Sequence, residues 1–350
     1  MSKTEKIKLG ISIGDINGIG IEIILKTFLD KRMLEFCTPI VFGSTKYISA
    51  YKKSLNLNVQ YNGVFNVEKA VEGKINVVNI WKEDVPVEFG NPTKRAGEYA
   101  FKSLEAATNS LANNEIDVLV TAPINKDNIQ SEDFTFPGHT EYLESKLEGK
   151  SLMILMTENL KVGLVTGHIP ISEVSSAISE EAITDKVEIL YKTLIEDFGV
   201  SRPKIAVLGL NPHCGDNGLI GIEDDEIVRP TLIKIQEQGK LVYGPYAADS
   251  FFGSENYKNF DAILAMYHDQ GLAPFKTLSF GEGVNYTAGL NKIRTSPDHG
   301  TAYELAGKDK ASISSFKEAV FTAIKLFSKR EEYKSLTQNV LKTNSKNKML

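Results

Sequence analysis

The chain is poor in cysteine: Cys37 and Cys214 are the only two among 350 residues. Two thiols make no disulfide framework, which excludes a small stapled secreted scaffold and suits a reducing cytoplasm. No apolar run approaches the roughly 20 residues of a membrane span. The opening MSKTEKIKLG is charged and lacks the apolar core of a signal peptide. Excess charge of one sign is lacking too. The 40 Lys and Arg against 45 Asp and Glu leave a net charge of −5, which gives no basic footprint for nucleic acid or a membrane surface. These absences predict a cytoplasmic protein with neither nucleic acid nor membrane as partner. Histidine is scarce as well, with five residues, so the places where they fall carry information.

What is present reads as α/β. A hydrophobic fraction of 42% and a charged fraction of 24% are ordinary for a globular protein, and the length suffices for two domains or one large unit. Apolar strands at 8–13, 39–43, 75–80 and 117–122 alternate with helical stretches at 21–29, 47–55 and 90–114. In the last of these Ala96, Ala100, Leu104, Ala107 and Leu111 form a core-facing stripe. Residues 152–157 and 162–166 read as adjacent strands or a hairpin. Residues 179–198 read as a long helix with Ser179 as N-cap and Gly199 past its end. Residues 224–238 form another helix, and the polar tail from Ser328 is expected to fray at its end. Trp81 reads as packing, and Lys126 as a solvated lysine or a polar contact in a cleft. No internal repeat is visible.

Three histidines share one context. Apolar runs at 161–167, 204–212 and 260–267 lead to His168, His213 and His268, each followed by a loop. Open α/β sheets present functional groups at the carboxyl ends of strands. Imidazole is a common metal ligand, and three of them with an open position suit a catalytic divalent ion. Each could instead be a strand-end histidine bonded to a backbone carbonyl. His139 and Thr140 open a helix, where the dipole favours a phosphate or carboxylate; a capping arrangement with Glu141 explains the same residues. Lys276, Asn285 and Arg294 are polar groups in apolar or glycine-rich surroundings, and the Arg294 fork suits phosphate. The turn holding Gly14, Gly18 and Gly20 is either an anion cradle or a tight strand-to-helix turn, and its spacing is not the dinucleotide fingerprint.

Taken together, GDINGIG, TAPINK, FPGHTE, TGHIP, NPHCGD, YHDQGLAPFK, GVNYTAGL and IRTSPDHGTA resemble the 4-hydroxythreonine-4-phosphate dehydrogenase family of pyridoxal phosphate biosynthesis. The likeness runs from about Leu9 to Leu326. Ile16, Asn17 and Ile21 stand where the family writes Pro, Ala and Pro, and Cys214 stands where it writes Ala, so Cys214 is not an essential nucleophile.

The resemblance implies an α/β, two-domain isocitrate/isopropylmalate dehydrogenase-like architecture with the active site in the interdomain cleft. Residues 1–130 plus 303–350 would form a discontinuous first domain, and residues 131–302 a second carrying the metal ligands and the dimer interface. His168, His213 and His268 would hold one divalent ion (zinc, magnesium, manganese or cobalt). His139, Thr140, Lys276, Asn285 and Arg294 would bind the small phosphorylated amino-acid substrate. The implied assembly is a homodimer with shared sites, His268 reaching the metal of the other subunit. The implied reaction is oxidation of 4-phosphooxy-L-threonine by NAD or NADP to 2-amino-3-oxo-4-phosphooxybutanoate, then decarboxylation to 3-amino-2-oxopropyl phosphate. The resemblance assigns no cofactor contacts. The chemistry needs a general base, for which Asp249 and Asp269 are candidates; Asp269 could instead orient His268. Competing readings are a relative acting on 4-phosphothreonate or a diol, a three-histidine metal hydrolase that turns over without NAD, and a non-catalytic phosphate-binding scaffold.

Overall fold

The computed structural model describes residues 6–279 and 281–339. Twelve strands form one mixed sheet: β1 (Ile7–Ser12), β2 (Cys37–Gly43), β3 (Tyr61–Val64), β4 (Ile75–Asn79), β5 (Val118–Thr121), β6 (Gly149–Met156), β7 (Lys161–Leu164), β8 (Lys204–Leu208), β9 (Leu241–Tyr246), β10 (Ala262–Ala265), β11 (Val284–Leu290) and β12 (Ile293–Pro297). Their order across the sheet is β3-β4-β2-β1-β5-β12-β11-β6-β7-β10-β8-β9. The strands from β3 to β12 are mutually parallel, as are those from β7 to β9. Between the two blocks, β11 and β6 make three antiparallel pairings that reverse the direction. The hairpin reading of β6 and β7 is correct.

Side chains alternate between the two faces of a strand, and the buried residues sort accordingly. On one face a continuous core takes Ile11 of β1, Val41 of β2, Val120 of β5, Tyr286 of β11, Val207 of β8 and Leu264 of β10. The helices Gly20–Thr27, Glu180–Glu196 and Ser314–Thr337 cover it, through residues such as Ile24, Val187 and Val320. The opposite face carries two separate cores. One joins Phe42, Leu119, Leu104 and Tyr142 under the helices Lys94–Ala112 and His139–Lys146. The other joins Leu155, Val162, Leu208, Ile263 and Phe275. Arg294, Asn285, Thr287 and Thr121 alternate with residues of the continuous core, so they face the gap between these two cores.

Several local expectations hold. The stripe on the helix Lys94–Ala112 is buried, and Thr93 caps it by accepting from Ala96 N. Ser179 caps the helix Glu180–Glu196 by accepting from Ala182 N. One reading needs correction. Residues 268–279 are a helix rather than a glycine-containing loop. Gly271 serves close packing there: a Cβ would stand 2.8 Å from Val162 Cγ1 and 2.9 Å from Ala265 Cβ. The polar tail continues as helix to Thr337, because Arg330 is buried against Asp197 at 2.5 Å; the expected fraying at 340–350 lies outside the described residues. The turn after β1 is an internal joint, with Tyr47 and Tyr51 hydroxyls donating to Ile16 O and Gly18 O at 2.8 and 2.9 Å. Among the described residues, no helix is long and apolar enough to cross a membrane.

Candidate active site

A cavity of about 310 Å³ opens beside the gap between the two cores. Its lining includes His139, Thr140, Lys276, Asn285 and Arg294, the five residues expected to bind substrate, together with His168 and His268. Four elements converge: the loop after β5, the start of the helix His139–Lys146, the ends of β7 and β10, and the β11–β12 hairpin.

Arg294 is the most constrained of these residues. It is 2% exposed. Its Nε and Nη2 donate to Thr121 Oγ1 at 3.0 and 2.6 Å, and Nη1 donates to Thr287 Oγ1 at 3.1 Å. These are neutral acceptors, and among the described residues no carboxylate lies within ion-pair distance. Burial pulls the guanidinium down to about 9, with the Glu141 charge opposing the shift, so it stays charged at neutral pH. A buried cation without an anionic partner is costly. A ligand phosphate or carboxylate would supply the missing charge with bidentate geometry.

The neighbours of Arg294 fit the same ligand. His139 is held neutral, because burial, then the charges of Arg294 and Lys126, push its pKa well below the usual value. Its Nε2 is enclosed and has no protein partner, as is Asn285 Oδ1. Lys276 Nζ donates to Asp298 O at 3.4 Å. Thr140 makes no capping bond, and Gly138 holds the N-cap position, so the capping explanation of FPGHTE fails.

Within one chain, two of the three expected metal ligands line this cavity. β7, β10 and β8 are consecutive parallel strands, so His168, His268 and His213 leave one edge of the sheet. The strand ends are laced together. Thr166 Oγ1 donates to Met266 O at 2.7 Å, and Gln270 donates to Gly209 O at 2.6 Å while accepting from Met266 N at 2.8 Å. His168 and His268 stand with ring centroids 5.4 Å apart. Asp269 Oδ1 lies 2.7 Å from His268 Nδ1. A carboxylate there fixes the proton on Nδ1 and frees Nε2 as a donor to a metal. His213 does not line this cavity. It sits on the short turn Pro212–Gly215 in left-handed conformation, φ 52° and ψ 25°. Buried Asp224 holds that loop by accepting from Leu210 N and Asn211 N at 2.8 and 2.9 Å. Among the described residues no three His, Cys, Asp or Glu side chains converge as metal ligands. His168 and His268 thus offer two neighbouring imidazole donors of the kind a divalent ion takes, and among the described residues no third ligand joins them.

The two candidate bases are not brought into the cavity. Asp269 is 86% exposed while bonding His268, which matches its alternative role of orienting that ring. Asp249 is exposed on the helix Ala248–Gly253. The structure instead adds Lys126, Glu141 and His299 to the lining. Lys126 is exposed, and its Nζ lies 3.5 Å from His168 Nε2, the polar contact in a cleft that is one of its two readings. Glu141 Oε1 lies 3.9 Å from His168 Nδ1, and that imidazole holds the carboxyl below its ordinary range. His299 Nδ1 lies 3.0 Å from Gly300 O, while its Nε2 is buried without a partner. The signal for Lys126 was present in the sequence as a lone cation following a buried strand.

Comparison with known proteins agrees with this geometry. The family described as "Pyridoxal phosphate biosynthetic protein PdxA" matches residues 35–323. A protein of Bacteroides thetaiotaomicron named 4-hydroxythreonine-4-phosphate dehydrogenase is 51% identical over 339 residues, 96% of this chain and 93% of that protein. One of the same name from Sulfurihydrogenibium is 42% identical, covering 91% of this chain and 98% of its own. The crystal structure of a 4-hydroxythreonine-4-phosphate dehydrogenase from Klebsiella pneumoniae superposes with a TM-score of 0.77 at 32% identity, over 93% of this chain and 99% of that one.

Proposed function

The chain belongs to the PdxA family of pyridoxal phosphate biosynthetic proteins, and from that premise we propose that it oxidises 4-phosphooxy-L-threonine with NAD or NADP. It is a dehydrogenase with the isocitrate/isopropylmalate dehydrogenase-like fold of its structural neighbours. The product, 2-amino-3-oxo-4-phosphooxybutanoate, is a β-keto acid and loses carbon dioxide to give 3-amino-2-oxopropyl phosphate. Buried Arg294, charged and without an anionic partner beside a cavity, carries this reading. It favours a phosphorylated alcohol over a neutral diol.

Arg294, His139, Asn285 and Lys276 bind the phosphate, remote from the reacting carbon, and that binding energy serves orientation. Neutral His139 donates or accepts without adding charge. Asp269 keeps the His268 ring in one tautomer. A divalent ion, held by His168 and His213 with His268 reaching in from the other subunit of a homodimer, would supply Lewis-acid stabilisation of negative charge on the substrate oxygen. The nicotinamide cofactor would accept the hydride. Lys126, beside His168, adds a positive charge to the cavity lining. The proposed domains are 1–130 plus 303–350 and 131–302. A cytoplasmic location remains part of the same proposal.

The test is NADH formation by purified protein with NAD and 4-phosphooxy-L-threonine, before and after chelation and metal add-back. Metal-dependent turnover that is lost in His268→Ala supports the reading. Turnover of 4-phosphothreonate or a diol alone would move the substrate, and hydrolysis without NAD would replace the reaction.

A further inference from the structure

Asp15 is fully buried and lines no part of the cavity. Its carboxylate accepts from Asn17 N at 2.9 Å, Asn128 Nδ2 at 2.7 Å and the Tyr303 hydroxyl at 2.8 Å. Among the described residues no Lys or Arg pairs with it. Three neutral donors stand in for the water a buried carboxylate would otherwise lose. Such a network is costly to leave partly satisfied, so it holds its members in one arrangement.

The arrangement grips the loop after β5 at both ends. At one end Asp15 N donates to Pro123 O at 2.9 Å. At the other, Asp15 Oδ2 takes Asn128, which also donates to Thr93 O at 3.0 Å. Two glycines press on the same loop. Gly14, at φ +68°, would place a Cβ 2.2 Å from Pro123 O, and Gly97 would place one 2.0 Å from Asn128 O. Between the two anchors Lys126 extends to His168 Nε2. The third tie, Tyr303, joins the loop to the segment that brings His299 and Gly300 to the cavity.

We propose that Asp15 is a positioning residue, which clamps the loop after β5 and thereby sets where the Lys126 ammonium stands in the cavity. The proposal rests on the dehydrogenase reading for its kinetic signature alone. In Asp15→Asn one side-chain oxygen becomes an NH₂ group, so Asn17 N and Asn128 Nδ2 can no longer both find an acceptor while the shape is kept. A misplacement of about 1 Å costs on the order of 100-fold in rate, so kcat of Asp15→Asn falls roughly 10- to 100-fold. KM for NAD stays within about twofold, because no substrate contact is removed. The double variant Asp15→Asn with Lys126→Ala is no slower than Lys126→Ala alone, the non-additivity of residues acting through one group. Hydrogen exchange of full-length Asp15→Asn rises in peptides covering 123–130 while thermal unfolding stays cooperative. Tyr303→Phe, which removes one donor and keeps the ring, is the milder variant and shows the same pattern at several-fold.

Wild-type kcat in Asp15→Asn, additive losses in the double variant, or unchanged exchange in 123–130 would each overturn the clamp. If Asp15→Asn does not fold, Tyr303→Phe decides by the same readouts. If wild-type protein oxidises no alcohol, the dehydrogenase reading fails, and the exchange measurement alone decides the clamp.

Discussion

Replacing Arg294 by lysine keeps the charge and loses the fork. Lysine cannot bond Thr121 and Thr287 while also meeting a phosphate bidentately. A charge-assisted hydrogen bond contributes about 1.5–3 kcal/mol, so Arg294→Lys should lower kcat/KM for the phosphorylated substrate roughly 10- to 100-fold, as steady-state kinetics would read. His139 gives a second prediction at this scale. Its folded pKa lies well below 6.5, while the unfolded chain takes up a proton near that value. Stability from this group is complete above pH 6.5 and is lost as pH falls from there towards the folded pKa. The slope reaches at most about 1.4 kcal/mol per pH unit. Urea midpoints measured from neutral pH downwards should fall less steeply in His139→Gln than in wild type.

The last helix shows how an element can hide in a polar sequence. The segment from Ser328 onward is polar in sequence, yet Arg330 donates to both Asp197 oxygens and to Leu290 O, and Tyr286 completes the cluster. Removing one partner of a buried pair costs about 3–5 kcal/mol. Arg330→Met should therefore lower the unfolding free energy by an amount of that order, read from chemical denaturation curves, with normal turnover in whatever protein remains folded. The same limit explains which other elements were legible. The helices Lys94–Ala112 and Glu180–Glu196 announce themselves by periodicity and caps. The helix His268–Ser279 does not, because Gly271 and Pro274 are local breakers and only packing against β7 and β10 decides the matter. β11 and β12 were missed as strands because Asn285, Thr287 and Arg294 place polar groups on their buried site face. The residues that would bind substrate could be picked out by type and by likeness to the family. His299 could not, and Lys126 showed only as a lone cation after a buried strand, a type that is usually solvated; the fold brings both to the cavity lining.

At the scale of the whole molecule, the question is whether one chain makes a working site. His168 and His268 face one cavity in a single chain, and His213 does not line it. If the metal set is shared as proposed, with His268 crossing to the other subunit, His213→Ala and His268→Ala are each inactive alone. Unfolding and refolding them as a mixture should restore about a quarter of wild-type activity, because each heterodimer then has one intact site. No recovery in the mixture would mean that each subunit builds its metal site alone.

The pairing of β5 with β12 has a consequence for synthesis. Thr121 and Arg294 meet across a sequence separation of 173 residues, and among the described residues no other strand covers that side of β5. At roughly 5–20 residues per second, a ribosome needs on the order of ten to thirty seconds to supply the missing strand. During that interval the nascent first block carries a bare, apolar strand edge, Val-Leu-Val-Thr, open to pairing with any other chain. The residue that completes the sheet also completes the anion site. A chain stalled before Ile293 is thus both unable to bind substrate and prone to aggregate, and chaperone demand should be concentrated in that window.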